Sequence, residues 1–182
     1  IASPEELLAA KAAKAPGIIL AIEGGNFAEQ RLSAVADVYA AGVRVIQPGH
    51  YAPSAFTDLQ KVSESHRSMT AEGKAFVREL NRQGIVVDIS HMTKRASAHA
   101  IEASSVPVML SHALMGNGGR FIDAEHAKLV ASSGGLVGVW SMESTGTKSA
   151  FVGAFRKLAD VVGVDHVGLG TDLDSTAGWF DG

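Results

Sequence analysis

The chain has 182 residues, 46% hydrophobic and 19% charged, with 16 Lys+Arg against 19 Asp+Glu and a formal net charge of −3. That apolar share suffices for one real core and excludes a wholly disordered protein, while a mild negative charge with no long Lys/Arg run argues against nucleic acid or an anionic membrane as main partner. With 0 cysteines, disulfide scaffolds and thiolate metal sites are excluded, and no apolar stretch approaches the roughly 18–20 residues of a membrane span.

The first segment, Ile1-Ala2-Ser3-Pro4-Glu5-Glu6, reads as an acidic helix start rather than a basic signal peptide. Ser3 is the N-cap, Pro4 takes the first helical position, and Glu6 completes a capping box. The absent initiator Met reads as a processed or partial chain. Apolar, β-branched runs then recur between Gly, Pro or Asn: residues 17–23 (GIILAIE), 43–48 (VRVIQP), 85–91 (IVVDISH), 106–111 (VPVMLS), 135–141 (GLVGVWS) and 166–171 (HVGLGT). Such runs look like buried parallel strands, although periodicity alone does not separate them from buried helix. Thr70 opens a helix through Phe76, Val77 and Leu80 that stops before Gly84. Thr93 and Asp123 are caps for two more, and residues 148–162 form the last. The order is strand and helix alternating about six times, which calls for a parallel sheet with helices outside. Residues 51–68 form a long polar connection between a strand and a helix, the kind of loop that carries function.

Six strands suit an open doubly wound sheet or part of a (β/α)8 barrel; a complete barrel usually takes about 250 residues. A nucleotide fold is disfavoured. Gly24-Gly25 lacks a third spaced glycine, Gly116-Asn117-Gly118-Gly119 has no further fingerprint, and there is no Walker lysine.

Glu23, His50, His91, His112 and Asp172 each fall at, or just past, the C-terminal end of a separate strand. A parallel sheet gathers those ends on one side, where α/β folds place their sites. Imidazole and carboxylate without thiolate suit Zn²⁺ or a similar ion. A lone strand-end histidine is more often a hydrogen-bonded structural residue; three at equivalent ends reverse those odds. Glu23 could instead cap the next helix, since Gly24-Gly25-Asn26 is a turn, and Asp172 or Asp174 could cap a following one. Asp88 differs from His91 in strand parity, so it is expected to face the other way. His66, His99, His126 and His166 are read as structural or solvated, and Trp140 and Trp179 as packing residues. Arg120 is either a surface charge or, by its forked guanidinium, the grip on a substrate carboxylate.

At these residues the sequence resembles the membrane dipeptidase (renal dipeptidase) family of zinc metallopeptidases. The matching pieces are Ile22-Glu23-Gly24-Gly25, Gly42-Val43-Arg44-Val45-Ile46 leading to His50, Thr70-Ala71-Glu72-Gly73, and Glu79-Leu80-Asn81-Arg82-Gln83-Gly84. They continue with Val87-Asp88-Ile89-Ser90-His91, Pro107-Val108-Met109-Leu110-Ser111-His112 and the run from Asp165 to Asp174. The resemblance implies a single α/β domain over residues 1–182 of the (β/α)8 TIM-type barrel, present in part, with the first two strands and the C-terminal end missing. It implies hydrolysis of dipeptides by a metal-bound hydroxide, with a D-residue tolerated at the C-terminal position. Glu23, His91 and His112 would be metal ligands, with Glu23 bridging two Zn²⁺. His50 would polarise the scissile carbonyl, Arg120 would hold the dipeptide's carboxylate, and Asp172 would shuttle the proton. The family's His-x-Asp pair for the first metal has no counterpart in these residues. One zinc is therefore expected in this chain as given, with weak or absent dipeptide hydrolysis by the chain alone, and the alternative is a catalytically incomplete metal-binding protein of the same fold. A small dipeptide is the expected partner, with no nucleic acid, no membrane span, a possible homodimer, and the cytoplasm slightly favoured.

Overall fold

Side-chain caps decide where most helices begin in the computed structural model, which describes residues 1–62, 68–140 and 147–172. The chain divides into two units, Ile1–Val106 and Pro107–Gly182, each built on a three-stranded parallel sheet. The parallel α/β reading of the sequence is what the structure contains.

In the first unit, α1 (Pro4–Ala12) starts at Ser3, whose Oγ accepts from the Glu6 amide at 3.2 Å. The reciprocal bond reaches one residue further out than a standard capping box, Glu6 Oε2 accepting from the Ala2 amide at 2.6 Å. The sheet order is β1 (Leu20–Glu23), β2 (Val43–Gln47), β3 (Val86–Val87), and the register sets Glu23 opposite Gln47. Between β1 and β2 runs α2 (Ala34–Ala40), for which the sequence offered no start signal; its N-cap Ser33 makes no side-chain capping bond. Thr70 caps α3 (Ala71–Gln83) by accepting from the Gly73 amide at 2.9 Å, and Gly84 ends it with φ 78°. Thr93 likewise caps α4 (Lys94–Ala103). Phe76, Val77 and Leu80 on one face of α3 are fully buried, with Ile46, Val87, Ile89 and Met92 also in the core.

The turn after β1 rests against the end of β2. The Gly25 amide donates to Pro48 O at 3.2 Å, and a Cβ on residue 25 would sit 2.9 Å from that same oxygen. Glycine is therefore what lets the ends of the two strands approach, and with them Glu23 and the segment leading to His50.

Two expectations need correcting here. The strand read at 85–91 stops at Val87, because Asp88 Oδ1 accepts from the Ser90 amide at 3.0 Å and from Ser90 Oγ at 2.8 Å. That Asx-type turn ends the extended run. The connection read as polar is anchored by buried apolar groups: Phe56 and Leu59 are buried, and Phe56 stacks on Phe76 at 4.5 Å. Isolated antiparallel bridges tie Thr57 to Met69 and Leu59 to Met92. His66 lies outside the described residues.

In the second unit the order is β4 (Met109–Ala113), β5 (Leu136–Val139), β6 (Val167–Leu169), with α5 (Ala124–Ser132) and α6 (Lys148–Val162) between them in sequence. Asp123 caps α5 through the His126 amide at 2.7 Å, and Thr147 caps α6. Leu110, Val130, Val137, Val139 and Leu158 are buried. The strand expected at 106–111 begins and ends later, and it carries a bulge. Leu110 pairs with Val137 while Ala113 pairs with Val139, so Ser111 and His112 share a space that one residue normally fills. Ser141, Asp174 and Trp179 lie outside the described residues. Among the described residues no helix is long and apolar enough to cross a membrane.

Candidate functional site

The first unit brings three of the candidate residues together. Glu23, the last residue of β1, directs Oε2 to His50 Nε2 at 2.8 Å and to His91 Nε2 at 3.8 Å. The His50 and His91 rings meet edge to face at 4.3 Å, and the Tyr51 ring lies 4.1 Å from His50 and 4.9 Å from His91. His91 is buried, whereas about a third of the Glu23 and His50 side chains is exposed (37% and 33%). The group is thus embedded on one side and open to small molecules on the other.

Glu23 is fixed from behind. Gln47, opposite it on β2, donates through Nε2 to Glu23 Oε1 at 2.9 Å and to Asp88 Oδ2 at 2.9 Å. Gln47 and Asp88 are both buried. Strand parity sets Asp88 away from the face of His91, but the Asp88 amide still bonds to Ile46 O while the chain turns between Asp88 and His91, so alternation does not relate the two residues. Gln47 went unnoticed for a different reason. A lone glutamine at a strand end carries no motif, and only its register opposite Glu23 could have pointed to it.

His91 holds φ 69° and Asp172 φ 54°, left-handed conformations that non-glycine residues seldom adopt. Among the described residues only Lys14 shares that property. Strained backbone gathers at functional positions, so two of the three falling on candidate site residues is informative.

The second unit holds the remaining candidates. His112 is buried in the β4 bulge, its Nδ1 2.8 Å from Ser111 Oγ and its Nε2 3.9 Å from Asp172 Oδ2. The bulge aims this ring away from the regular alternation of the strand. Arg120 is buried rather than a surface charge, and its guanidinium lies over the Trp140 ring at 5.1 Å. Trp140 also stands edge-on to His112 at 6.1 Å. The other described histidines serve the scaffold: His99 Nδ1 meets Ser68 Oγ at 2.5 Å, His166 Nδ1 meets Gly135 O at 2.8 Å, and His126 is buried in α5.

The donors at Glu23 and His91 suit a divalent ion: Glu23 Oε2 and His91 Nε2 lie 3.8 Å apart, Glu23 Oε1 is engaged by an amide, and with 0 cysteines no thiolate competes. Carboxylate and imidazole at the C-terminal ends of parallel strands lie where α/β folds place their sites. The profile of the membrane dipeptidase family (peptidase family M19) matches residues 1–182, and the chain belongs to that family. It is 24% identical over 170 residues to dipeptidase verJ of Clonostachys rogersoniana, covering 86% of this chain and 42% of that protein. The chain therefore spans about two fifths of that relative's length. An amidohydrolase from Pseudomonas aeruginosa superposes with a TM-score of 0.89 at 26% identity, over 98% of this chain and 57% of the other. A metallopeptidase from Rhodobacter sphaeroides, liganded with a phosphinate mimic of the dipeptide L-Ala-D-Ala, shares the fold with a TM-score of 0.84 at 21% identity, over 96% and 55% of the two chains.

Proposed function

We propose that this chain carries the catalytic residues of a zinc dipeptidase on part of a (β/α)8 barrel. The observation that carries this is the convergence of His50 and His91 on Glu23 Oε2, at strand ends of a chain that belongs to a dipeptidase family. Glu23 and His91 would hold the ion, with His112 as a further ligand, since it is a buried imidazole in a bulge at the end of β4. A bound divalent ion supplies Lewis acidity, bringing the pKa of water from about 15.7 towards about 7.

The chain's own residues do the rest. His50, partly exposed beside Glu23, donates to the carbonyl oxygen of the scissile bond and steadies the negative charge that develops there. Arg120, pinned on Trp140, forms paired hydrogen bonds with the dipeptide's free carboxylate and so sets the bond in register. Water adds to the carbonyl carbon, Asp172 accepts the proton it loses, and the C–N bond breaks as Asp172 returns that proton to the departing amine. The dipeptide mimic held by the Rhodobacter relative supports a D-residue at the C-terminal position here.

The test is hydrolysis of L-Ala-D-Ala and L-Ala-L-Ala by the zinc-loaded chain, followed by release of free alanine. Turnover of both, even if slow, and lost on chelation, is the expected result. Zinc binding without turnover would leave a metal-binding protein; neither would remove the reading.

A further inference from the structure

We infer that Gln47 is a positioning residue that fixes the orientation of the Glu23 carboxylate as a metal ligand, and that Asp88 sets the direction of the Gln47 amide. This rests on the reading of Glu23 and His91 as metal ligands.

The geometry is asymmetric. Gln47 Nε2 uses its two hydrogens on two carboxylates, Glu23 Oε1 and Asp88 Oδ2, both at 2.9 Å. Both neighbours are acceptors when ionised, so only the NH2 end of the amide can face them. Glu23 Oε1 is thereby fixed in place, which turns Oε2 toward His50 and His91. Asp88 is locked in turn, since its Oδ1 accepts from both the amide and the hydroxyl of Ser90.

The arrangement does not look like one kept for stability. Gln47 is only 1% exposed, and its Oε1 has no hydrogen-bond partner among the described residues. A buried acceptor left in that state is unfavourable, and an apolar side chain of similar shape would avoid it. What the glutamine adds over such a side chain is the orientation of Glu23. Partners that orient a ligand typically change metal affinity about 10–100-fold when removed.

Gln47→Met tests this, because it keeps length and removes both donors. The readouts are the Zn²⁺ dissociation constant by calorimetry, the visible absorption of the Co²⁺ form, and the melting temperature of the metal-free chain. The expected result is about 10–100-fold weaker zinc binding and an altered Co²⁺ spectrum, with a melting temperature unchanged or higher. Asp88→Asn is the second variant. Its oxygen stays with the Ser90 donors, so its NH2 meets Gln47 Nε2, and the amide can no longer satisfy both neighbours. Zinc should weaken here too, even if Gln47→Met fails to fold. Wild-type affinity and spectrum in either folded variant would overturn the inference while leaving Glu23 as a ligand. Absence of zinc binding by the wild-type chain would overturn the ligand reading and the inference with it.

Discussion

Glu23 Oε2 and His50 Nε2 lie 2.8 Å apart, one at the end of β1 and the other just past the end of β2. The contact depends on the close approach at Gly25, which allows the two strand ends to meet. His50 is the more exposed of the two imidazoles facing Glu23, and His91 is the buried one. This difference in exposure accords with the proposed roles: a group that meets substrate needs access, whereas a ligand benefits from a dry, fixed setting.

His50→Ala should therefore lower kcat by about 100- to 1,000-fold, the range for removing one donor to a developing oxyanion. Zinc content should stay at the wild-type value. Loss of zinc together with activity would make His50 a ligand instead, and elemental analysis of the purified variant distinguishes the two.

Arg120→Ala bears on substrate capture. The guanidinium is buried against Trp140, so a carboxylate that reached it would be desolvated. Losing a charge-assisted pair costs on the order of 2–5 kcal/mol when one partner is left buried. KM should rise about 30-fold or more for dipeptides with a free C-terminus, and far less for their C-terminal amides. Equal effects on both substrates would take Arg120 out of this role.

Much of the local structure was legible because single side chains cause it. Ser3, Thr70, Thr93 and Asp123 each accept from an amide three residues on, and the helices begin there. The helix without such a bond, Ala34–Ala40, had no signal. The strand-end candidates could be read because parallel strands share a direction. Gln47 and Asp88 could not be read, since their place depends on register across β1 and β2 and on a turn that ends β3 early. Side chains that act through a partner on another strand leave no pattern along the chain.

The pair Glu79–Arg82 on α3 gives a pH-dependent contribution away from the site. The Arg82 guanidinium beside Glu79 holds its carboxyl below the ordinary carboxylate range, and its Nη2 lies 2.7 Å from Glu79 Oε1. A lowered folded-state value means that the stabilisation is full above the unfolded pKa, near 4.5, and is lost as pH falls through the folded value. Glu79→Gln should lower the melting temperature slightly at pH 7, and the difference should vanish on acidification. A gap that widened at low pH would reverse the sign of the argument.

His91 allows its chemistry and its backbone to be tested apart. Its φ of 69° is unfavourable for any side chain with a Cβ, by roughly 1–2 kcal/mol, and open to glycine. Alanine and glycine both remove the imidazole and both leave a gap where a buried ring stood. They differ in whether the left-handed backbone is relieved. His91→Gly should therefore be more stable than His91→Ala by about 1 kcal/mol, read from chemical denaturation of the metal-free proteins. Zinc binding should be lost equally in both, because the Nε2 that faces Glu23 is gone in each. Retention of zinc by either variant would show that the remaining donors suffice without His91. Equal stabilities would show that the backbone relaxes once the ring is removed, and that the left-handed turn is imposed by the imidazole and its contacts rather than by the surrounding chain.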